Sequence, residues 1–187
     1  MAIRVYIDQG HNPVSPNTGA EGNGITEQEV TYEVGRLLYE RMSRDPNYAV
    51  RLSRPTPETQ LGTSNATSLQ ARVDGAIDFG ADLFLSIHTN ASLDSSASGS
   101  EALVYAVNST AGRIGESILR SMTALTGLRN RGVIARPGLY VLRKTPMPAV
   151  LVELGFISNP GDAALMRDDP GLFAEGIYRG LNVYYGF

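Results

Sequence analysis

The stretch Asp82–Ala91 limits the fold more than any other, because an apolar strand signal runs directly into a polar turn. The run from Leu83 to Ile87 is almost wholly apolar, which is typical of a strand buried on both faces inside a parallel sheet. His88 follows this predicted strand immediately. In open α/β sheets ligands bind at the carboxyl ends of the strands, because the loops diverge there into a crevice. We therefore expect His88 to lie at a functional edge of the sheet.

The only other histidine, His11, is predicted at the same edge. It follows the strand-like run Ile3–Asp8, and Gly10 allows the backbone to bend sharply just before it. Two imidazoles at neighbouring strand ends suit a catalytic zinc site, which often adds one carboxylate and leaves a position for water. The residues alone leave several carboxylates open for the third ligand or a base: Asp8, Glu21, Glu27, Glu29 and Glu153.

Predicted strands and helices alternate along the chain, as they do in α/β domains. We predict strands at residues 3–8, 48–52, 83–87, 102–107, 139–142 and 150–152. Helices are predicted at 26–44, 69–80, 114–127, from 159, and at 172–184, and loops at 12–24, 54–68, 93–100 and around Arg129, Arg131 and Arg136. This order predicts one domain, residues 1–187, with a three-layer α/β/α sandwich and a largely parallel, twisted sheet of about six strands.

Composition excludes several classes of function. A chain of 187 residues with a net charge of -3 lacks the basic surface that nucleic-acid binding needs, so we expect no nucleic-acid partner. The absence of Cys excludes disulfides and thiolate metal sites. No apolar run approaches the roughly 20 residues of a membrane span. Met1 leads almost directly into the first strand, so we expect no signal peptide in this chain, which is either exported by another route or an excised domain.

Four segments of the chain carry a resemblance to a known family. They are Asp8-Gln-Gly-His11, Gly24-Ile-Thr-Glu27, Ser86-Ile-His-Thr-Asn-Ala91 and Val152-Glu-Leu-Gly-Phe-Ile-Ser-Asn-Pro160. In order and spacing they resemble the signature segments of the zinc-dependent N-acetylmuramoyl-L-alanine amidases, the hydrolases of bacterial autolysins, sporulation lysis and phage endolysins. The family usually has Pro-Gly-His-Gly where this chain has Gln9 to Asn12, and an acidic residue where Asn130 stands.

The resemblance implies a role for four residues. His11, Glu27 and His88 would bind one Zn²⁺ per chain, and Glu153 would be the catalytic acid and base. The implied reaction cleaves the amide bond between N-acetylmuramic acid and the L-alanine of the peptidoglycan stem peptide. Glu153 would take a proton from water and deliver it to the leaving alanine amine. A zinc peptidase or deacylase of related fold, acting on another amide, is the alternative.

Other expectations follow from the same residues. Glu27 alone would also fit a carboxylate placed at a helix start by the macrodipole. Arg54, Arg72 and Arg143 could hold substrate carboxylates, although a structural or solvated role is favoured for each. We expect a monomer that acts on the bacterial cell wall, with a wall-binding domain in any longer parent chain.

A final expectation concerns access to the site. Some members of the family carry an extra helix after the third segment that covers the zinc. Here the corresponding connection runs only from Ser92 to about Glu101, and its Ser- and Gly-rich composition has low helix propensity. We therefore expect an open site and an enzyme that needs no activator.

Overall fold

The computed structural model describes residues 1–187. Its strands are β1 (Ile3–Gln9), β2 (Glu21–Gly22), β3 (Ile25–Thr26), β4 (Tyr48–Leu52), β5 (Leu83–Asn90), β6 (Ser100–Val104), β7 (Asn130–Ala135) and β8 (Ala149–Phe156). Its helices are α1 (Glu27–Met42), α2 (Asn65–Phe79), α3 (Thr110–Thr126), α4 (Tyr140–Lys144), α5 (Pro160–Asp168) and α6 (Pro170–Tyr185). None of these helices is both long and apolar enough to cross a membrane.

The main sheet has six strands in the order β4-β1-β5-β8-β6-β7. All neighbours run parallel except β6 and β8, which are antiparallel. The predicted α/β class and the largely parallel sheet are therefore confirmed. β1, β5 and β8 occupy the centre and run in one direction, so their carboxyl ends meet at one edge of the sheet.

The helices cover the two faces of the sheet unequally. On one face α1, α3 and α6 enclose a core of 26 buried residues, whereas α2 and the short α4 cover a core of only 10 on the other. Phe84 belongs to the smaller core, and side chains alternate along a strand, so His88 points to the same, thinly covered face. The carboxyl edge on this face holds a small cavity next to His88.

The helix ends follow from local sequence. Ser64 caps α2, and its side chain accepts from the backbone N–H of Thr67. Gly80 and Gly127 end α2 and α3 in the left-handed conformation, as predicted from the sequence. Asn159 caps α5 by accepting from two backbone N–H groups, with Pro160 in the first turn.

One predicted strand is wrong. Residues 139–142 were expected to form a strand, but they belong to the helical turn α4, which starts at Tyr140. Pro137 and Gly138 precede this helix and turn the chain, so that Leu139 N–H bonds back to Arg136. A four-residue apolar run cannot distinguish a strand from a buried helical turn, since its periodicity fits both.

Two predicted loops contain strands. The basic segment around Arg131 forms β7, an edge strand whose apolar run, Val133–Ala135, is only three residues long and is flanked by Arg131 and Arg136. The segment 12–24 ends in a small hairpin that pairs Glu21 with Thr26. β5 also extends through Asn90, which places His88 within the strand rather than after it.

Candidate metal centre

Two histidines and one glutamate converge at the carboxyl edge of the sheet. His11 Nε2 lies 3.1 Å from Glu27 Oε2, and His88 Nδ1 lies 3.0 Å from Glu27 Oε1. The two imidazole rings stand edge to face, with their centroids 4.9 Å apart. One donor atom from each residue lies within 4.8 Å of the others, so the three side chains can hold a single metal ion.

Glu27 is fixed by the backbone on either side of it. It opens α1, is 4% exposed, and accepts hydrogen bonds from the N–H groups of Ala20 and Thr89, both at 2.9 Å. Burial raises the pKa of Glu27, but the hydrogen bonds and charge interactions with His11 and His88 outweigh it and hold the pKa well below its usual range. Glu27 is therefore an anion at neutral pH.

The turn that carries His11 has an unusual backbone. His11 has a φ of 67°, a left-handed conformation that costs free energy outside glycine. Its carbonyl accepts from Arg72 Nη2 at 2.6 Å and from Arg54 Nη1 at 3.4 Å. Arg72 Nη1 also donates to the carbonyl of Gln9 at 2.6 Å. The buried guanidinium groups of Arg72 and Arg54 therefore fix the backbone of this turn.

Arg72 also links the two histidine-bearing strands. It forms a buried ion pair with Asp8 at 2.6 Å, and the other Asp8 oxygen accepts from the Ser86 hydroxyl at 2.8 Å. Ser86 precedes His88 by two residues on β5 and faces the same side. Burial raises the pKa of Asp8, but Arg72, above all, keeps it below its usual value. Asp8 is therefore engaged in the network beneath the site.

Gly10 is required for the two histidines to approach each other. A Cβ at this position would lie 2.5 Å from His88 Cε1 and 2.6 Å from the Ile87 carbonyl oxygen. No other residue type fits there without moving the β5 backbone or the imidazole.

Glu153 lies beside this group on β8. Its Cα is paired with that of His88 on one side and that of Glu101 on the other. Its Oε2 is buried and has no hydrogen-bond partner. Burial raises the pKa of Glu153 to about 8, and the charges of Glu27 and Glu101 act in the same direction. Glu153 as a whole is half-buried, but a carboxyl group with one buried, unpaired oxygen close to a second carboxylate is an environment that a cation would stabilise.

The remaining candidate side chains lie elsewhere. Glu21 and Glu29 are exposed, and Glu29 accepts from the Thr26 hydroxyl at 2.6 Å. Arg54 and Arg72 are buried and structural, and Arg143 is exposed on α4. The support that Arg72 gives to His11 could not be predicted, because nothing in the local pattern around residue 72 distinguishes a buried arginine.

No helix covers the site. The connection between β5 and β6 contains only bends and turns. It is held by Asp162, which accepts from the Ser98 hydroxyl at 2.7 Å and from Gly99 N–H at 3.0 Å. The expected absence of a covering helix in this connection is confirmed.

Comparison with known proteins identifies the family. The model of the N-acetylmuramoyl-L-alanine amidase family matches residues 5–183 of the chain. The chain belongs to this family. Members of this amidase family are generally zinc-dependent, and the group formed by His11, Glu27 and His88 is compatible with that metal.

Relatives and solved structures agree with this assignment. The amidase LytC of Bacillus subtilis (strain 168) is 35% identical over 187 residues, which cover 97% of this chain and 35% of LytC. The amidase CwlM of Bacillus licheniformis is 32% identical, over 95% of this chain and 65% of CwlM. The chain thus spans only part of these relatives. The catalytic domain of the amidase CwlV from Bacillus (Paenibacillus) polymyxa var. colistinus superimposes with a TM-score of 0.86 at 29% identity, covering 98% of both chains.

Proposed function

We propose that residues 1–187 form a single catalytic domain that hydrolyses the amide bond between N-acetylmuramic acid and the L-alanine of peptidoglycan. One observation carries the proposal: two imidazoles and a carboxylate lie within 4.8 Å of one another at the carboxyl edge of the sheet. Glu153 stands on the adjacent strand, at the same level as His88. Membership of the amidase family supports this amide as the substrate bond.

We assign His11, Glu27 and His88 as the ligands of one zinc ion per chain. The donor set fits, because two imidazoles and one carboxylate are a common catalytic zinc set and leave a position open. When bound, zinc supplies Lewis acidity, which polarises a carbonyl group and makes water a better nucleophile. Glu27 would be oriented for this role by the N–H groups of Ala20 and Thr89, and His11 by the carbonyl contacts of its turn.

Glu153 is assigned as the general base and then the general acid. Its carboxylate takes one proton from the attacking water while the water oxygen bonds to the lactyl carbonyl carbon. It then gives that proton to the alanine nitrogen as the C–N bond breaks, leaving a carboxylic acid and a free amine. A pKa of about 8 makes Glu153 a good proton donor near neutral pH. The pKa is expected to fall when a cation occupies the neighbouring group, which favours the base form.

The connection after β5, which contains no helix, is relevant to how the activity is regulated. Since no helix lies there to cover His88, we propose that the domain is active as a monomer without an activating partner. Its place of action would be the bacterial cell wall, where the substrate is found.

The proposal is tested on isolated cell walls with the purified, zinc-loaded chain. We expect turbidity to fall and new amino-terminal alanine to appear, with no new reducing sugar ends. A metal-free sample, prepared with a chelator, should be inactive and should recover on adding zinc. New reducing ends would indicate a glycosidase, and new amino termini other than alanine would indicate a peptidase; either result would overturn the assignment of the bond. Lysis that appears only with a second protein would contradict the proposed independence from an activator.

A further inference from the structure

A small cavity lies next to the proposed metal ligands. It has a volume of about 130 Å³, and both His11 and His88 line it. Its other walls come from three elements of the thinly covered face: Leu69 on α2, Tyr140 on α4 and Leu151 on β8. The cavity therefore adjoins two of the three proposed metal ligands, although neither Glu27 nor Glu153 lines it.

The chemistry of the cavity walls is mainly apolar. Leu69, Val141 and Leu151 supply aliphatic surface, and the Tyr140 hydroxyl is engaged with Gln70 on α2. Besides the two histidines, its polar lining consists of Asn17, whose amide donates to the Ser68 hydroxyl, and of Asp8 and Arg72, which form an ion pair with each other at 2.6 Å. A ligand group that enters the cavity contacts mainly aliphatic side chains, and the two charged side chains there already neutralise each other. The cavity therefore favours an uncharged, apolar group.

The size of the cavity sets an upper limit on that group. An apolar cavity of about 150 Å³ holds a benzene molecule, so 130 Å³ accepts a smaller group. A sugar ring or an aromatic side chain does not fit, whereas a methyl or ethyl group does. Because the cavity adjoins His11 and His88, we expect the group that fills it to be attached close to the reacting amide.

We propose that this cavity, lined by Leu69, Tyr140 and Leu151, is a specificity subsite for a small alkyl substituent on a carbon next to the scissile amide. The inference rests on the proposed function, whose substrate has one such methyl group on each side: that of the lactyl group and that of L-alanine. Both the lactyl group and L-alanine place a methyl-bearing carbon next to the scissile amide. The cavity volume then limits how large that substituent can be.

The test varies the cavity and the substrate together. Leu69→Ala enlarges the cavity and Leu69→Phe fills it. Ile77→Ala and Ile77→Phe are matched controls, because Ile77 lies on the same helix but is 46% exposed and outside the cavity. The substrates are N-acetylmuramoyl-L-alanyl-D-isoglutamine and two series of analogues. One series replaces alanine with glycine, 2-aminobutyrate or phenylalanine, and the other replaces the lactyl group with glycolyl, 2-hydroxybutyryl or 3-phenyllactyl.

The wild-type protein should cleave the parent compound and the ethyl-bearing analogues, and should lose kcat/KM on the benzyl-bearing analogue of one series. Leu69→Ala should recover much of that loss in the same series. Leu69→Phe should lower kcat/KM for the methyl-bearing parent by roughly 10- to 200-fold, the effect of a misfitted methylene-sized group, while sparing the glycine or glycolyl analogue. The series that responds identifies which of the two methyl groups occupies the cavity.

Zinc content and the thermal midpoint of each variant show whether it is folded. If both Leu69 variants keep the wild-type selectivity in both series, the subsite is overturned; if Leu69→Phe does not fold, Leu69→Ala decides alone. A wild-type protein that cleaves no muropeptide would instead overturn the proposed function, and the subsite with it. An active wild-type protein with unchanged selectivity in the variants overturns the subsite only.

Discussion

The two halves of the site are built in opposite ways. On the side of β1 and α1, both carboxylates are paired: Glu27 accepts from two backbone N–H groups, and Asp8 accepts from Arg72 and Ser86. On the side of β8, Glu153 Oε2 is buried and has no partner. We call these the satisfied and the unsatisfied half according to their carboxyl groups, since His11 Nδ1, Arg54 Nε and Arg72 Nε also lack a partner.

This difference matches two chemical demands. Metal ligands need fixed geometry, which a saturated hydrogen-bond network supplies. A group that both takes and gives a proton needs a pKa near neutrality, and burial without partners moves a carboxyl group there. Glu101 shares the environment of Glu153 but is paired with Arg131, so one of the two carboxylates is neutralised and the other is left available. The comparison predicts different consequences for substitutions in the two halves.

The largest effect is expected for the satisfied half, from His88→Ala. Removing an imidazole leaves two of the three metal donors, so zinc should be lost and turnover abolished, well beyond the roughly 100-fold cost of losing an outer-shell partner. Elemental analysis and the cell-wall assay measure the two effects. Glu29→Gln is the matched control, because Glu29 is a neighbouring carboxylate that points away from the group and should leave both unchanged. Stoichiometric zinc in His88→Ala would contradict the ligand assignment.

Glu153→Gln should lower turnover without affecting zinc binding, and so distinguish the roles of the two halves. The amide keeps the shape of the side chain and cannot accept the proton, so turnover should fall by roughly 10²- to 10⁴-fold while zinc stays bound. Zinc content and kcat are measured on the same preparation. Glu21→Gln, on the exposed hairpin, should behave as wild type. Near-normal turnover in Glu153→Gln would place the base at another residue, whereas loss of zinc would make Glu153 part of the metal-binding half.

A site residue can be predicted from the sequence only when its neighbours in the chain carry the signal. His11 and His88 could be predicted at the sheet edge because each follows a strand signal of its own. Glu27 could not be chosen over its rivals from the residues alone: Glu29 lies two positions away, and only the fold decides which one turns inward. The resemblance to the amidases supplied that choice, and the geometry agrees with it.

Contacts between distant segments could not be predicted. Arg72 lies 64 positions from its partner Asp8, and its neighbours on α2 give no sign that its guanidinium is buried. The edge strand β7 is predicted as a loop because its apolar run, Val133–Ala135, is only three residues long and lies among arginines. The helical turn α4 is predicted as a strand for a related reason, since its apolar residues are too few to show a helical period.

A smaller effect is expected from Arg72→Met, which tests whether the saturated network supports the metal half. Breaking a buried ion pair leaves Asp8 uncompensated, and such losses cost about 3 to 5 kcal/mol of unfolding free energy. Zinc affinity should also fall by roughly 10- to 100-fold, because the His11 turn loses its support. Chelator competition measures the affinity, and denaturant unfolding measures the stability.

Arg4→Met provides the control for that variant. Arg4 pairs with Asp82 at 3.0 Å, but both side chains are about half exposed, 50% and 42%, so solvent screens the pair and the stability should stay close to that of wild type. If Arg72→Met does not fold, Arg72→Lys keeps the charge without the forked geometry and should still weaken zinc binding. Unchanged zinc affinity in a folded Arg72 variant would show that the contacts of Arg72 stabilise the fold but do not support zinc binding.

The smallest effect concerns the unsatisfied half and the stability of the metal-free protein. A carboxyl group with a higher pKa in the folded protein than in the unfolded chain stabilises the fold at low pH. That contribution is lost as the pH rises toward the folded value, which is about 8 for Glu153. Glu153→Gln cannot ionise and so lacks this loss. From about pH 5 to about pH 7 the variant should therefore gain roughly 2 kcal/mol of unfolding free energy relative to wild type.

Denaturant unfolding of both metal-free proteins across this range measures the difference directly. The contributions of Asp8 and Glu27 have the opposite sign, because their pKa values are lowered and their stabilisation is lost as the pH falls. Those contributions are common to both proteins and cancel in the comparison. Glu153→Met, a second side chain without a titrating group, should show the same slope as Glu153→Gln. A difference that stays constant with pH would mean that Glu153 is ionised in the metal-free fold, and that the two halves of the site are equally well satisfied.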